Sequence, residues 1–313
     1  MKDPVGVVNL PFTGIASFAK FPICDNLDTL NADVAVMGIP WDEGVGSVPG
    51  TRFGPRAIRE YSTRLGFVKE RGYYDVSTER EYLKGVTFAD CGDADVLYLD
   101  VITSFDRATA MVRRIVERGA LPVVLGGDHS VSFPAVRGME AHGPIDIVHV
   151  DAHLDFNDSV GGVTLANGSP FKRASELPFV RRIIQIGIRG IRTRPATYFA
   201  ARDHGNIIIT MARIRREGLD PVWRAFEALG ERCYLSIDTD GLDPSVAPGT
   251  GSPDPDGLQR WQVAEIVREL TKRSRIVGFD FVEVNPMVDP SGLTALVAAT
   301  TIVETLGQIF AGR

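Results

Sequence analysis

Four short apolar runs in this chain each finish in acids or histidines. Pro122–Leu125 leads into Gly126-Gly127-Asp128-His129-Ser130, and Ile145–Val150 into Asp151-Ala152-His153-Leu154-Asp155. Tyr234–Ile237 leads into Asp238-Thr239-Asp240, and Ile276–Phe281 into Val282-Glu283-Val284-Asn285-Pro286. Asp151, His153 and Asp155 alternate, so in an extended segment their side chains share one face, as do those of Asp238 and Asp240. Carboxylates held side by side repel unless a cation lies between them. Asp-x-His-x-Asp, Asp-x-Asp and the separate His129 together make a metal constellation. Asp151, Asp155, Asp238 and Asp240 supply four negative charges, which two divalent cations balance; a single cation leaves buried charge in excess, which is costly. A donor set of mostly oxygen with two imidazoles favours a hard ion such as Mn²⁺, whereas zinc prefers more His or Cys. Two ions sharing one water lower its pKa and give hydroxide near neutral pH.

These segments resemble the ureohydrolase family, which includes arginase and agmatinase. The resemblance is carried by GGDHS at 126–130, DAHLD at 151–155, SIDTDGLDPSVAPGTGSP at 236–253 and VEVNP at 282–286. GIPWDEG at 38–44 and PGTRFGPRAIR at 49–59 are similar to its agmatinase-like branch. The match runs in order along nearly the whole chain. It implies the arginase fold and a binuclear manganese cluster, and the same ligands would accept nickel. His129, Asp151, Asp155 and Asp238 would hold one ion. Asp151, His153, Asp238 and Asp240 would hold the other, with Asp151 and Asp238 bridging. The shared hydroxide would attack a guanidinium carbon, Asp155 would carry the proton to the leaving amine, and Glu283 would pair with the guanidinium. Bidentate pairing fixes orientation as well as adding energy. The products would be urea and an amine. Expected substrates are agmatine first, then guanidino acids such as 4-guanidinobutyrate, then formimidoyl compounds or guanidine itself.

The chain departs from the family at one loop. Many members carry a proton-shuttling His after the DAHxD strand, and here Asn167 stands in its place within Leu165–Phe171. Asn does not titrate, so the expectation is that Asn167 touches substrate. Asn157, Thr250 and Trp41 are also expected at the pocket, Trp41 as a packed loop aromatic or as an aromatic wall for the substrate tail. The run Arg189-Gly190-Ile191-Arg192-Thr193-Arg194 reads as a solvated turn, a subunit contact or a holder of a substrate carboxylate. His149, within a strand, reads as structural, and His142 and His204 as surface residues. A non-catalytic subunit of a mixed oligomer and a one-zinc deacetylase are the alternatives; the complete set of six ligands with Glu283 argues against both.

Eight runs read as the strands that position these residues: Asp33–Gly38, Val86–Ala89, Pro122–Leu125, Ile145–Val150, Ile183–Ile188, Asn206–Ile209, Tyr234–Ile237 and Ile276–Phe281. Several are apolar on both faces, the mark of parallel strands covered by helices. Between them Ile102–Arg118, Leu258–Lys272 and Gly292–Phe310 have helical spacing. Alternation of this kind implies a three-layer α/β/α domain with a central, mostly parallel sheet of about eight strands. Periodicity alone leaves a TIM barrel open; in either fold, ligands sit at the carboxyl ends of the strands. Residues 1–30 read as an N-terminal arm and 31–313 as a single catalytic domain. Phe12, Phe18 and Phe21 are expected to pack the arm on a neighbour or across its own sheet.

Of the 313 residues 34 are basic and 40 acidic, a net charge of −6 that disfavours nucleic acid as a partner. No apolar run approaches the roughly 18 residues that span a bilayer, and the interrupted N-terminus does not read as a signal peptide. Cys24, Cys91 and Cys233 are too few and too scattered for a disulfide framework. A cytoplasmic homo-oligomer, hexamer or trimer, acting on a small guanidino substrate is the resulting expectation.

Overall fold

The computed structural model describes residues 10–311. Among these residues ten strands form, in chain order: β1 Val34–Ile39, β2 Tyr73–Asp75, β3 Arg80–Tyr82, β4 Phe88–Asp93, β5 Leu121–Gly126, β6 Ile145–Val150, β7 Val180–Ile188, β8 Ile207–Thr210, β9 Arg232–Asp238 and β10 Arg275–Val282. Eight of them make one parallel sheet in the order β4-β1-β5-β10-β9-β6-β7-β8. Each expected run overlaps one of these strands, Val86–Ala89 only through Phe88 and Ala89, and β4 and β8 are the two edge strands, so the sheet is open and the barrel alternative falls. β2 and β3 pair as a separate antiparallel hairpin that the sequence analysis did not anticipate; three residues a side are too few to show a period.

Every residue of β1 and β6 is buried, because helices cover both faces of the sheet. On one face lie Gly54–Ser62, Arg260–Arg273 and Leu293–Ile309, which contribute Ile58, Ile266 and Ile302 to one apolar cluster. On the other, Val101–Glu117 brings Phe105, Val112 and Ile115 against Val124 and Ile147. Two apolar layers flank the sheet.

Of the arm, residues 1–9 lie outside the described residues. Phe18 and Phe21 are buried, and Phe21 stacks on Phe88 with centroids 4.3 Å apart. The Asp90 amide donates to the Pro22 carbonyl and the Cys24 amide to that of Asp90, both at 2.8 Å. The arm therefore covers the edge strand β4, whose unpaired backbone would otherwise invite association. Phe12 does not share this packing and is exposed.

Candidate metal centre

The strands β5, β10, β9 and β6 are consecutive in the sheet. Their carboxyl ends are level: Leu125 pairs with Phe281, Val282 with Asp238 and Val150 with Ile237. His129, Glu283, Asp238 with Asp240, and Asp151 through Asp155 thus emerge along a single ridge. Gly127 makes the first turn possible, since a Cβ there would lie 1.8 Å from the Trp41 carbonyl oxygen.

The six expected ligands converge. His129 Nδ1 lies 3.1 Å from Asp151 Oδ2, 3.1 Å from Asp155 Oδ2 and 2.7 Å from Asp238 Oδ2. His153 Nδ1 lies 3.4 Å from Asp151 Oδ1 and 3.2 Å from Asp240 Oδ2. The Asp151 carboxylate therefore spans the two imidazoles, one oxygen towards each.

The hydrogen bond behind His129 assigns its proton. Ser236 Oγ donates to Asp280 Oδ1 at 2.6 Å, so at 3.0 Å from His129 it accepts from Nε2–H. His153 Nε2 lies between a donor and an acceptor, 2.9 Å from Arg192 Nη2 and 3.1 Å from Asp254 Oδ2. In the neutral His129 ring the lone pair of Nδ1 then points into carboxylates. His129 Nδ1 is buried with no hydrogen-bond partner. A lone pair aimed at anions, without a proton between, fits a cation and little else.

Electrostatics agree. Burial, then the charges of Asp240 and Asp151, hold the Asp238 carboxyl well above its usual range. Burial and Asp151 raise Asp155, and push Asp240 up to about 6. Burial opposes protonation of His153, but Asp240 and Asp151 outweigh it and push this imidazole up to about 12. His129 is raised in the same way, by Asp151, Asp155 and Asp238 against burial. Asp151 alone is held low, where contacts with His149, His129 and His153 override burial. Without cations, protons must take up the charge of this cluster.

Glu283 and Asp155 hold left-handed backbone conformations, φ 62° and 45°, a strained geometry that aims their side chains. Glu283 Oε1 accepts from the His129 amide at 2.9 Å, and burial followed by the charge of Asp128 pushes its carboxyl up to about 8. Both acids line a cavity of about 270 Å³ together with Asp238 and Asp240.

Of the remaining expected contacts, Asn167 lines this cavity, and its side-chain amide has no hydrogen-bond partner among the described residues. Asn157 lines it too, but its amide is spent inside the protein: it donates to Gly168 O at 2.8 Å and accepts from Thr197 Oγ1 at 2.5 Å. The structure does not place Trp41 as a pocket wall. It is 4% exposed and packs edge-on to Phe105, 6.0 Å away, because its loop dips into the apolar layer. Thr250 is likewise buried and does not line the cavity. Arg189, at the start of the basic run, turns inward: its Nη2 clamps the carbonyls of Asp240 and Asp254 at 2.6 and 2.7 Å.

The sequence singled out only His149, as structural, from one further group of residues. Gln185, His149, Ser236 and Asp280 form a polar row in register across β7, β6, β9 and β10. His149 Nδ1 accepts from Gln185 at 3.2 Å, so its Nε2–H donates to Asp151 Oδ2 at 2.7 Å. Both ring nitrogens are occupied, which makes His149 a positioning residue and not a ligand. The signal was present: His149 and Ser236 stand two residues before Asp151 and Asp238, on the same strand face.

The comparisons with known proteins agree with this arrangement. The profile of the Arginase family matches residues 32–307. A mitochondrial agmatinase of Gallus gallus is 37% identical over 94% of this chain and 85% of its own length. A guanidinobutyrase of Pseudomonas aeruginosa is 34% identical over 98% of this chain and 96% of its own length. The solved structure of proclavaminate amidinohydrolase from Streptomyces clavuligerus superposes with a TM-score of 0.88 at 30% identity, covering 97% of this chain and 100% of that one. The chain belongs to the arginase family, whose members of this kind hydrolyse guanidino compounds.

Proposed function

We propose that this guanidino hydrolase holds two divalent cations, one among His129, Asp151, Asp155 and Asp238 and one among Asp151, His153, Asp238 and Asp240. Manganese is the first choice and nickel the second, on the hardness of the donors. The observation that carries the reading is the Asp151 carboxylate, which turns one oxygen to each imidazole while both Nε2 atoms are engaged elsewhere. When bound, the ions supply a water acidic enough to lose a proton near neutral pH.

The chain's own residues do the rest. Glu283, fixed by the His129 amide, pairs with the substrate guanidinium and presents its carbon above the acids. Asp155 sits at the cavity wall, takes the proton of the attacking water and passes it to the leaving nitrogen. The water oxygen forms a bond to the guanidinium carbon and the carbon–nitrogen bond to the substrate tail breaks. One guanidinium and one water become urea and one ammonium product. Asn167 cannot carry a proton, so its role is to hydrogen-bond the substrate.

A single catalytic domain over 31–313 and a homo-oligomer, hexamer or trimer, belong to the same reading; the exposed Tyr98, Leu99 and Ile102 support self-association. The three free cysteines support the cytoplasm as its compartment. No helix among the described residues is long and apolar enough to cross a membrane. The test is urea release from agmatine and a series of guanidino acids, with Mn²⁺ and then Ni²⁺. Metal-dependent urea, equal in amount to the amine, is expected. Metal-loaded protein that releases no urea from any of them overturns the proposal.

A further inference from the structure

We propose that Arg194, at the mouth of the cavity, binds a carboxylate at the far end of the substrate, so that the preferred substrates are ω-guanidino carboxylates and not agmatine. This deepens the guanidino-hydrolase reading above and rests on it.

The cavity has three chemically distinct zones. Its floor carries the buried acids Asp238, Asp240 and Glu283. Leu154 and Val160 provide apolar wall. Arg192 and Arg194, from the segment after β7, line the same cavity at the protein surface, and both are exposed. Acid, apolar wall and base in one cavity complement a guanidinium, a methylene chain and an anion.

The two arginines differ. Arg192 is committed: its Nη2 lies 2.9 Å from Asp254 Oδ2 and 2.9 Å from Ser252 O. The Arg194 side chain makes no hydrogen bond or ion pair among the described residues. The acids near the mouth are already taken. Asp254 serves Arg192 and His153, and Asp158 pairs with Arg173 at 2.6 Å. Arg194 also precedes the helix Pro195–His204, whose first turn holds no acid and no side-chain cap, so the positive end of the helix dipole adds to the same field. A free guanidinium here offers a planar fork of donors matched to a carboxylate, whereas the ammonium of agmatine meets uncompensated positive charge.

Agmatine and 5-guanidinopentanoate share the guanidino group and four methylenes and differ at the far end, ammonium against carboxylate. The experiment measures kcat and KM for both, and for 3-guanidinopropionate and 4-guanidinobutyrate, on the metal-loaded wild type, Arg194→Gln and Arg194→Lys. The wild type is expected to favour at least one of the acids over agmatine by about tenfold or more in kcat/KM. Arg194→Gln should lose about tenfold on that acid through KM with kcat nearly unchanged, leave agmatine unchanged or improved, and be partly rescued by Arg194→Lys. The preference should also shrink as salt screens an exposed charge. The Arg194 side chain has no partner to lose, so its variants test recognition and not folding, which unchanged circular dichroism spectra should show. A wild type that favours agmatine over all three acids, or an Arg194→Gln variant that weakens agmatine and the acid equally, overturns the assignment while urea release keeps the hydrolase reading intact. No urea from any of the compounds overturns both.

Discussion

Replacing His149 with Phe should loosen the metal centre without touching a ligand. The His149 ring is fully buried and lies against Phe171 with centroids 3.9 Å apart, so a phenyl ring of similar shape fills the space. The change removes the Nε2–H that donates to Asp151 Oδ2 at 2.7 Å. Gln185 keeps an acceptor, since its amide also donates to Leu154 O at 2.6 Å. The loss therefore falls on Asp151, a fully buried carboxylate that spans both imidazoles. An unsatisfied buried acceptor costs about 1–3 kcal/mol, and partners of metal ligands are worth about 10–100-fold in affinity. At about 1.4 kcal/mol per tenfold the two estimates agree. Mn²⁺ competition against a chelating dye should show His149→Phe weaker by about 10–100-fold. His149→Gln, whose amide nitrogen reaches the place of Nε2, should recover most of this. Wild-type Mn²⁺ affinity in a folded His149→Phe protein would refute the reasoning and show that the Asp151 backbone alone orients its carboxylate.

Glu283→Gln should lower kcat/KM by at least about tenfold, because a charge-assisted hydrogen bond is worth about 1.5–3 kcal/mol; elemental analysis should find the metal content unchanged. The metal-free protein should lose thermal stability as pH rises from 5 to 9. Asp240 and Glu283 are raised to about 6 and about 8, and His153 to about 12, so the native state holds protons that the unfolded chain releases across this window. One pKa unit is about 1.4 kcal/mol, or about 2 °C in a chain of this size. Chelated protein should show a falling Tm and Mn²⁺-loaded protein a smaller fall, so that the metal-induced rise grows with pH. A chelated Tm that climbs over this range contradicts the sign.

The sheet was legible because strands buried on both faces leave long apolar runs in the sequence, and β1, β5, β6 and β9 do so. The ligand set was legible because its acids and histidines cluster where apolar runs end, although the extended face expected for them does not form: residues 151–155 leave β6 through a bend, and Asp240 lies in the 3-10 turn Thr239–Gly241. The hairpin β2–β3 was not, since each strand spans three residues. Trp41 was ambiguous because its sequence position beside Gly44 and Asp42 does not tell whether a loop aromatic turns to solvent, cavity or core; the packing on Phe105 settles it. The polar row of Gln185, His149, Ser236 and Asp280 depends on register between strands distant in sequence. Asp254 depends on where a loop returns, and its 3.1 Å contact with His153 crosses 101 residues of chain. Single-sequence reasoning reaches groups on one strand and misses those that meet across several.

The most direct measurement is the metal content of protein loaded with Mn²⁺ and freed of excess ion, compared between wild type, Asp238→Ala and Asp240→Ala. Asp238 lies 2.7 Å from His129 Nδ1 and its other oxygen accepts from the Asp240 amide, also at 2.7 Å, which places it between the two halves of the cluster. Two equivalents per chain in the wild type, about one in Asp240→Ala and close to none in Asp238→Ala are predicted. One equivalent in the wild type, or two retained in a folded Asp238→Ala protein, contradicts a shared two-ion centre.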